Sequence, residues 1–379
     1  MYTNWAHEFP LQPGLIHLNH AGVGPWPKRT KDAIISFAKE NSQNGSQKYV
    51  EWEQKESELR HYCQQLINAK SANDIAFVKS TSEALSIVAY GIAWQAHENV
   101  VYAQQEFPSN RIIWQSLQSR FGVEARSVDL YQATTPEDAL FAQADQNTRL
   151  IAVSAVQFAN GLRMDLAKIS QYCRAHNILL CVDAIQILGA IPFNLTKTPA
   201  DFVMADGHKW LLSPEGIGMF YCNPKLRDQL HLNQYGWHMM EKLGDYEALD
   251  WKPASDARRF ECGSPNNLGI QAMHASMSLI LEVGVEYIYN MISRNISYIH
   301  EKYKKYGFNI VSDMSSNRQS GIITMQRQDV DNYNLYKHLQ KSNVLCAYRS
   351  NGIRFSPHFY TPRDEIDHAL DLICNYKEQ

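Results

Sequence analysis

With 379 residues, 45% apolar and 20% charged side chains and a net charge of −3, the chain has room for one large domain and a smaller one, and lacks the basic excess of a general nucleic-acid binder. No apolar run approaches the roughly 20 residues of a membrane span, and residues 1–8 lack the basic start and apolar centre of a secretory leader. Seven cysteines, an odd number without a Cys-x-x-Cys spacing, read as free thiols in a reducing compartment, so the expected location is cytoplasmic.

From about residue 74 to 222, short β-like runs alternate with helical stretches. Residues 75–78, 99–103, 150–154, 178–183, 201–205 and 218–222 read as strands, the last as a return strand. Residues 82–93, 110–121 and 166–176 read as helices. This alternation predicts an α/β domain with a mostly parallel sheet between helices. A polar, Trp-containing loop region runs to about 265, and a helical stretch follows from Leu268 to about Tyr306. The last hundred residues mix strands (321–325, 352–356) with helices (332–341, 364–376), as a small α+β domain would. The expected division is 16–262 for the large domain and 263–379 for the small one, with 1–15 packing against the latter.

In parallel sheets ligands bind beyond the carboxyl ends of the strands. Asp183 closes the apolar run that begins at Ile178, and Lys209 lies in Ala205-Asp206-Gly207-His208-Lys209-Trp210, ahead of a Gly-rich turn. A lysine among apolar neighbours has a lowered pKa, as imine chemistry requires. An aspartate at a buried strand end can hold a pyridine nitrogen protonated. Together they suit pyridoxal phosphate (PLP). Taken singly, Lys209 also fits a surface lysine and Asp183 a helix cap. Gln186 lies within reach of the same ring. Ser80-Thr81-Ser82, between a strand and a helix, fits a phosphate site and equally a capping box with Glu83. Arg354, in a strand-like apolar run, suits an α-carboxylate or an internal salt bridge, and Arg349 lies nearby. The histidines show no metal-ligand spacing, so no metal is expected.

These residues together resemble class V of the fold-type I PLP enzymes, a group spanning cysteine desulfurases, kynureninases, isopenicillin N epimerase-like proteins and small-molecule aminotransferases. The motifs run in the family's order over nearly the whole chain, from His17 to about Asp367. The resemblance implies a large PLP domain with a seven-stranded, mostly parallel sheet. It implies catalytic roles for Lys209, as the Schiff-base lysine, and for Asp183. Cofactor contacts are implied for Thr81, Ser82, Phe107 (stacked on the ring), Gln157, Gln186, His208 and Ser264. Ser264 would reach the partner's phosphate in a homodimer with shared active sites. Substrate contacts are implied for Arg354, Asn19, His20 and Ala21, with Arg349 weaker. The departures matter too. Desulfurases stack a histidine where this chain has Phe107, and their mobile cysteine loop is missing, since residues 343–349 run almost directly into Arg354. Cys346 reads as a buried thiol. The expected activity is transamination of an amino acid, with a β-eliminating C–S lyase and an epimerase as alternatives and persulfide chemistry disfavoured. No nucleic acid or membrane partner is expected.

Overall fold

The computed structural model describes residues 5–378. Met1–Asn4, part of the segment read for leader features, lie outside the described residues. In chain order the first part comprises β1 (Ile16–His17), α1 (Lys28–Asn44), α2 (Tyr49–Ile67), β2 (Ile75–Val78), α3 (Thr81–Gly91), β3 (Asn99–Ala103), α4 (Ser109–Phe121) and β4 (Glu124–Val128). There follow α5 (Pro136–Ala142), β5 (Thr148–Ser154), α6 (Leu166–Ala175), β6 (Leu179–Asp183), β7 (Phe202–Asp206) and β8 (Gly218–Cys222). One seven-stranded sheet takes the order β2-β8-β7-β6-β5-β3-β4. Its members β4, β3, β5, β6 and β7 pair in parallel, and β8 returns antiparallel between β7 and β2. Strands β3, β5, β6 and β7 are nearly all buried, which is why they read as continuous apolar runs. The edge strand β4 is mostly uncovered and polar, so it gave no such signal.

The second part holds α7 (Asn267–Val283), α8 (Val285–Lys305), β9 (Asn309–Ile310), β10 (Ile323–Gln326), α9 (Asn332–Lys341), β11 (Val344–Leu345), β12 (Ala347–Arg349), β13 (Gly352–Phe355) and α10 (Arg363–Asn375). A four-stranded sheet, β12-β13-β10-β9, forms its centre. The stretch from 268 to 306 is two helices rather than one. Gly284, at φ +83°, ends α7, and α8 leaves at 79° to it. Among the described residues no single helix is long and apolar enough to cross a membrane. The N-terminal segment joins the far end of the chain: β1 pairs in parallel with β11, and Asn19 bridges Ser356. Helices α1 and α2 pack on α7. Of α1 only Thr30 is buried, so its sequence carries little apolar periodicity.

Candidate active site

Asp183 is the last residue of β6, flanked in the sheet by Ser154 and Met204. It is 4% exposed. Burial pushes its carboxyl up to about 6, against the opposing pull of the Ile185 N–H (3.0 Å to Oδ1) and the charge of Lys209. The short turn after β6 is not a helix, so Asp183 anchors a turn rather than capping one. Lys209 follows β7. Burial lowers its amine to about 8; Asp183 opposes that, and the charges of Arg354 and Arg349 add to it. Desolvation therefore wins on both members, leaving a carboxyl and an amine each closer to neutrality than in water. The backbone here is tightly held. Gly24 N donates to His208 O (2.8 Å), and a β-carbon at Gly24 would come 2.5 Å from Lys209 O. Leu212, which donates to Lys209 O (3.2 Å), is left-handed at φ +57°, a conformation a leucine adopts only when its surroundings impose it.

The start of α3 faces the same end of the sheet. Ser80 is the N-cap and accepts from Glu83 N (3.2 Å), while Glu83 accepts from Lys79 N (2.6 Å), so the capping reading holds. Thr81 is buried and its hydroxyl accepts from Asp206 N (3.1 Å). Ser82 is exposed and donates to Ser109 Oγ (2.8 Å). The free N–H groups of this first turn remain available to an anion. His208 Nδ1 lies 3.1 Å from Asp206 Oδ1, in an orientation that makes no hydrogen bond.

Phe107 is 43% exposed, with the Lys209 ammonium 5.7 Å from its ring centre and its edge against Phe158 (5.2 Å, 85°). Beneath it lies Glu106, just past the end of β3. This carboxyl, 2% exposed, accepts from Ser154 N (2.7 Å), Gln157 Nε2 (3.0 Å), Asn110 Nδ2 (3.0 Å) and the Ser154 hydroxyl. Burial raises it to about 7, with Asp183 a smaller contributor. Gln157 is thereby fixed by its amide nitrogen, and its Oε1 is buried without a partner. The available signal was a Glu followed four residues later by Asn110, just past a buried strand.

The opposite wall carries Arg354, 2% exposed. Its Nη1 donates to Phe158 O (2.6 Å) and Nη2 to Asn19 Oδ1 (3.0 Å), while Nε has no partner. Among the described residues no carboxylate forms an ion pair with it, and burial lowers it to about 9. The internal salt bridge weighed from the sequence is therefore absent. Asn19 joins the site through this arginine. His20 does not. It is fully buried, Nδ1 donates to Ser356 O (2.9 Å), and Nε2 lies 2.6 Å from the Tyr360 hydroxyl, so both ring nitrogens are used in the core. Ala21 contributes its backbone: N donates to Ser356 Oγ and O accepts from Gln186 Nε2 (3.1 Å). Gln186 is buried, and its Oε1 accepts from Trp210 Nε1 (2.8 Å). It ties the N-terminal segment to the lysine turn, leaving one amide hydrogen for a further partner. Ser264 is exposed in the loop before α7, and no contact joins it to Thr81 or Ser82 within one chain.

Glu56, His238 and Glu261 group closely enough to suggest a metal. The Arg60 guanidinium already bridges both carboxylates, at 2.5 to 2.7 Å, and occupies that role.

A site of this kind, with an end-of-strand aspartate, a turn lysine and a lone buried guanidinium, is matched by the family comparison. The model for aminotransferase class V matches residues 16–368. The chain belongs to that family. Its members are PLP-dependent enzymes. The chain is 28% identical to an uncharacterized aminotransferase of Bacillus subtilis over 83% of its length and 82% of the relative's. It is 27% identical to a probable cysteine desulfurase of Methanothermobacter thermautotrophicus, over 95% and 94%. In fold it resembles the cystine C-S lyase C-DES in complex with its product cysteine persulfide: TM-score 0.88, 20% identity, 96% and 98% coverage. The residues present fit PLP. The start of α3 can take its phosphate, Asp183 its ring nitrogen, Lys209 its aldehyde and Phe107 its ring face.

Proposed function

We propose that this class-V family member is an aminotransferase acting on an amino acid, with Lys209 as the group that carries the Cα proton. The observation that carries the reading is Arg354: a buried guanidinium without an acidic partner, on the wall facing a lysine whose amine is lowered to about 8. A buried unpaired cation is costly, and a substrate α-carboxylate supplies the missing partner. Bound PLP supplies an aldehyde for the lysine and an electron sink for the Cα–H bond. The protein does the rest. Arg354 and Asn19 orient the carboxylate. Asp183 keeps the ring nitrogen protonated. With PLP bound, the Lys209 amine would take the Cα proton and hold it for return.

Cys346 supports the exclusion of a persulfide carried on the protein's own thiol. Its thiol is 4% exposed and burial pushes it up to about 12, so little thiolate forms at neutral pH. The reading includes a homodimer in which Ser264 reaches the neighbouring phosphate; sedimentation analysis showing a monomer would remove that part. β-Elimination is the competing activity, favoured by the likeness in fold to a cystine lyase.

The test is a single-turnover absorbance spectrum of the PLP-loaded protein against a panel of amino acids, without added keto acid. Lasting conversion to the pyridoxamine form identifies an aminotransferase and its substrate. A band that persists while keto acid and ammonia accumulate identifies a lyase and overturns the transaminase reading.

A further inference from the structure

Strands β12 and β13 form a hairpin with the register Ala347↔Arg354, Tyr348↔Ile353 and Arg349↔Gly352. Its two turn residues, Ser350 and Asn351, both have positive φ (48° and 55°), the backbone of a tight two-residue hairpin turn. Directly paired residues share a face, and successive residues alternate. Tyr348 and Ile353 occupy one face. Ile353 is fully buried, and Tyr348 packs on Tyr333 and Tyr336 of α9. Arg349 and Arg354 therefore share the other face, the one from which Arg354 reaches Phe158 O and Asn19. They are diagonal neighbours, roughly 7–8 Å apart at the backbone. Gly352, opposite Arg349, places no side chain between them. Its own side is filled, since a β-carbon there would come 2.4 Å from Met325 O.

Two guanidiniums thus sit side by side at the substrate wall. Arg354 lies deep and Arg349 is exposed at the mouth. The only side-chain hydrogen bond Arg349 makes among the described residues is from Nη1 to its neighbour's carbonyl, Tyr348 O (2.7 Å), and no carboxylate pairs with it. Its charge acts on both the Lys209 amine and the Arg354 guanidinium, so it belongs to the same electrostatic compartment. The acids of the site, Asp183, Asp206 and Glu106, all lie beneath, at the strand ends. An exposed arginine alone would be an ordinary solvated residue. One held by register beside an unpaired buried arginine, over a lysine, calls for a ligand with two negative groups.

We propose that the substrate is an amino acid whose side chain bears a second acidic group, with Arg354 taking the α-carboxylate and Arg349 the side-chain anion. This rests on the assignment of Arg354 to the α-carboxylate. The experiment is calorimetric titration of the PLP-loaded protein with glutarate, succinate and butyrate, in wild type, Arg349→Gln and Arg354→Gln. A charged hydrogen bond lost at Arg349 is worth about tenfold or more in affinity. The expected result is that a dicarboxylate binds wild type at least about tenfold more tightly than butyrate, and that Arg349→Gln removes most of this advantage while lowering butyrate binding far less. Arg354→Gln weakens all three. In turnover, aspartate or glutamate is then favoured over alanine and leucine. Equal binding of mono- and dicarboxylates by wild type, or an equal loss for both in Arg349→Gln, overturns the proposal and leaves the Arg354 assignment standing. Failure of any carboxylate to bind, or butyrate binding that survives Arg354→Gln, overturns both.

Discussion

On the floor of the site, at and just beyond the carboxyl ends of β3, β6 and β7, two carboxyls and an amine are packed against the sheet. Burial drives all three toward neutrality: Asp183 up to about 6, Glu106 up to about 7 and Lys209 down to about 8. On the wall, the β12–β13 hairpin brings two guanidiniums with no acid between them. Arginine resists neutralisation, so the wall keeps its positive charge where the floor sheds its own. A floor of adjustable protons and a wall of fixed charge are different tools. In the proposed reaction the first moves a proton, and the second fixes what the proton is taken from.

Lys209→Ala breaks the floor most severely. Turnover should fall by about 10⁴-fold or more, since nucleophile and base are removed together. The visible absorbance of the PLP-loaded protein should shift as well, with the far-ultraviolet circular dichroism unchanged. Retained turnover would remove the lysine from the mechanism.

Arg354→Gln is the matching break in the wall. KM should rise by about a hundredfold, as one charge-assisted pair to the substrate is lost. Stability should hold or rise, because an unpaired buried cation has gone. A fall in thermal midpoint with unchanged KM would make Arg354 a purely structural residue.

Much of the floor was legible before the fold was known. Asp183 and Lys209 sit in local frames, an apolar run ending in Asp and a Gly-His-Lys turn, and parallel sheets place ligands at such ends. Gln186 was legible only as a nearby amide. Its two bonds, to Ala21 and Trp210, join segments more than 160 residues apart. His20 read as a substrate contact, yet the 336 residues separating it from Ser356 hid the bond that holds it in the core. Glu106 escaped for the same reason, since its donors converge from α4 and the end of β5. The wall was least legible. A pair of arginines five apart tells nothing of its facing until the turn type and register are known. Helix α1 and the edge strand β4 bury too few residues for their periodicity to register.

Glu106→Gln tests whether the floor's second carboxyl does more than fill space. The raised value means that the folded state holds its proton more tightly than the unfolded chain does. Its contribution to stability is therefore fully present below about 4.5 and is lost as pH rises toward about 7, by on the order of 3 kcal/mol. Glutamine cannot titrate. Denaturant melts across this window should show wild type losing stability relative to the variant as pH rises. An effect on the substrate-dependent absorbance change, beyond that on stability, would mark Glu106 as positioning Gln157 at the cofactor. A pH-independent difference between the two proteins would reduce it to packing.

Cys346→Ala is the smallest expected change and the sharpest on chemistry. Cys346 lies between β11 and β12, on the segment where desulfurases carry their reactive loop, and the tight hairpin that follows leaves no length for such a loop. The thiol is buried against Gln340 and raised to about 12, the opposite of what an attacking thiolate needs. Replacing it should cost about 1 kcal/mol through a small cavity and leave turnover within about twofold. Loss of cysteine-dependent sulfur release in this variant, with folding intact, would restore persulfide chemistry. The floor would then be serving a thiol acceptor, and the two guanidiniums would need another explanation.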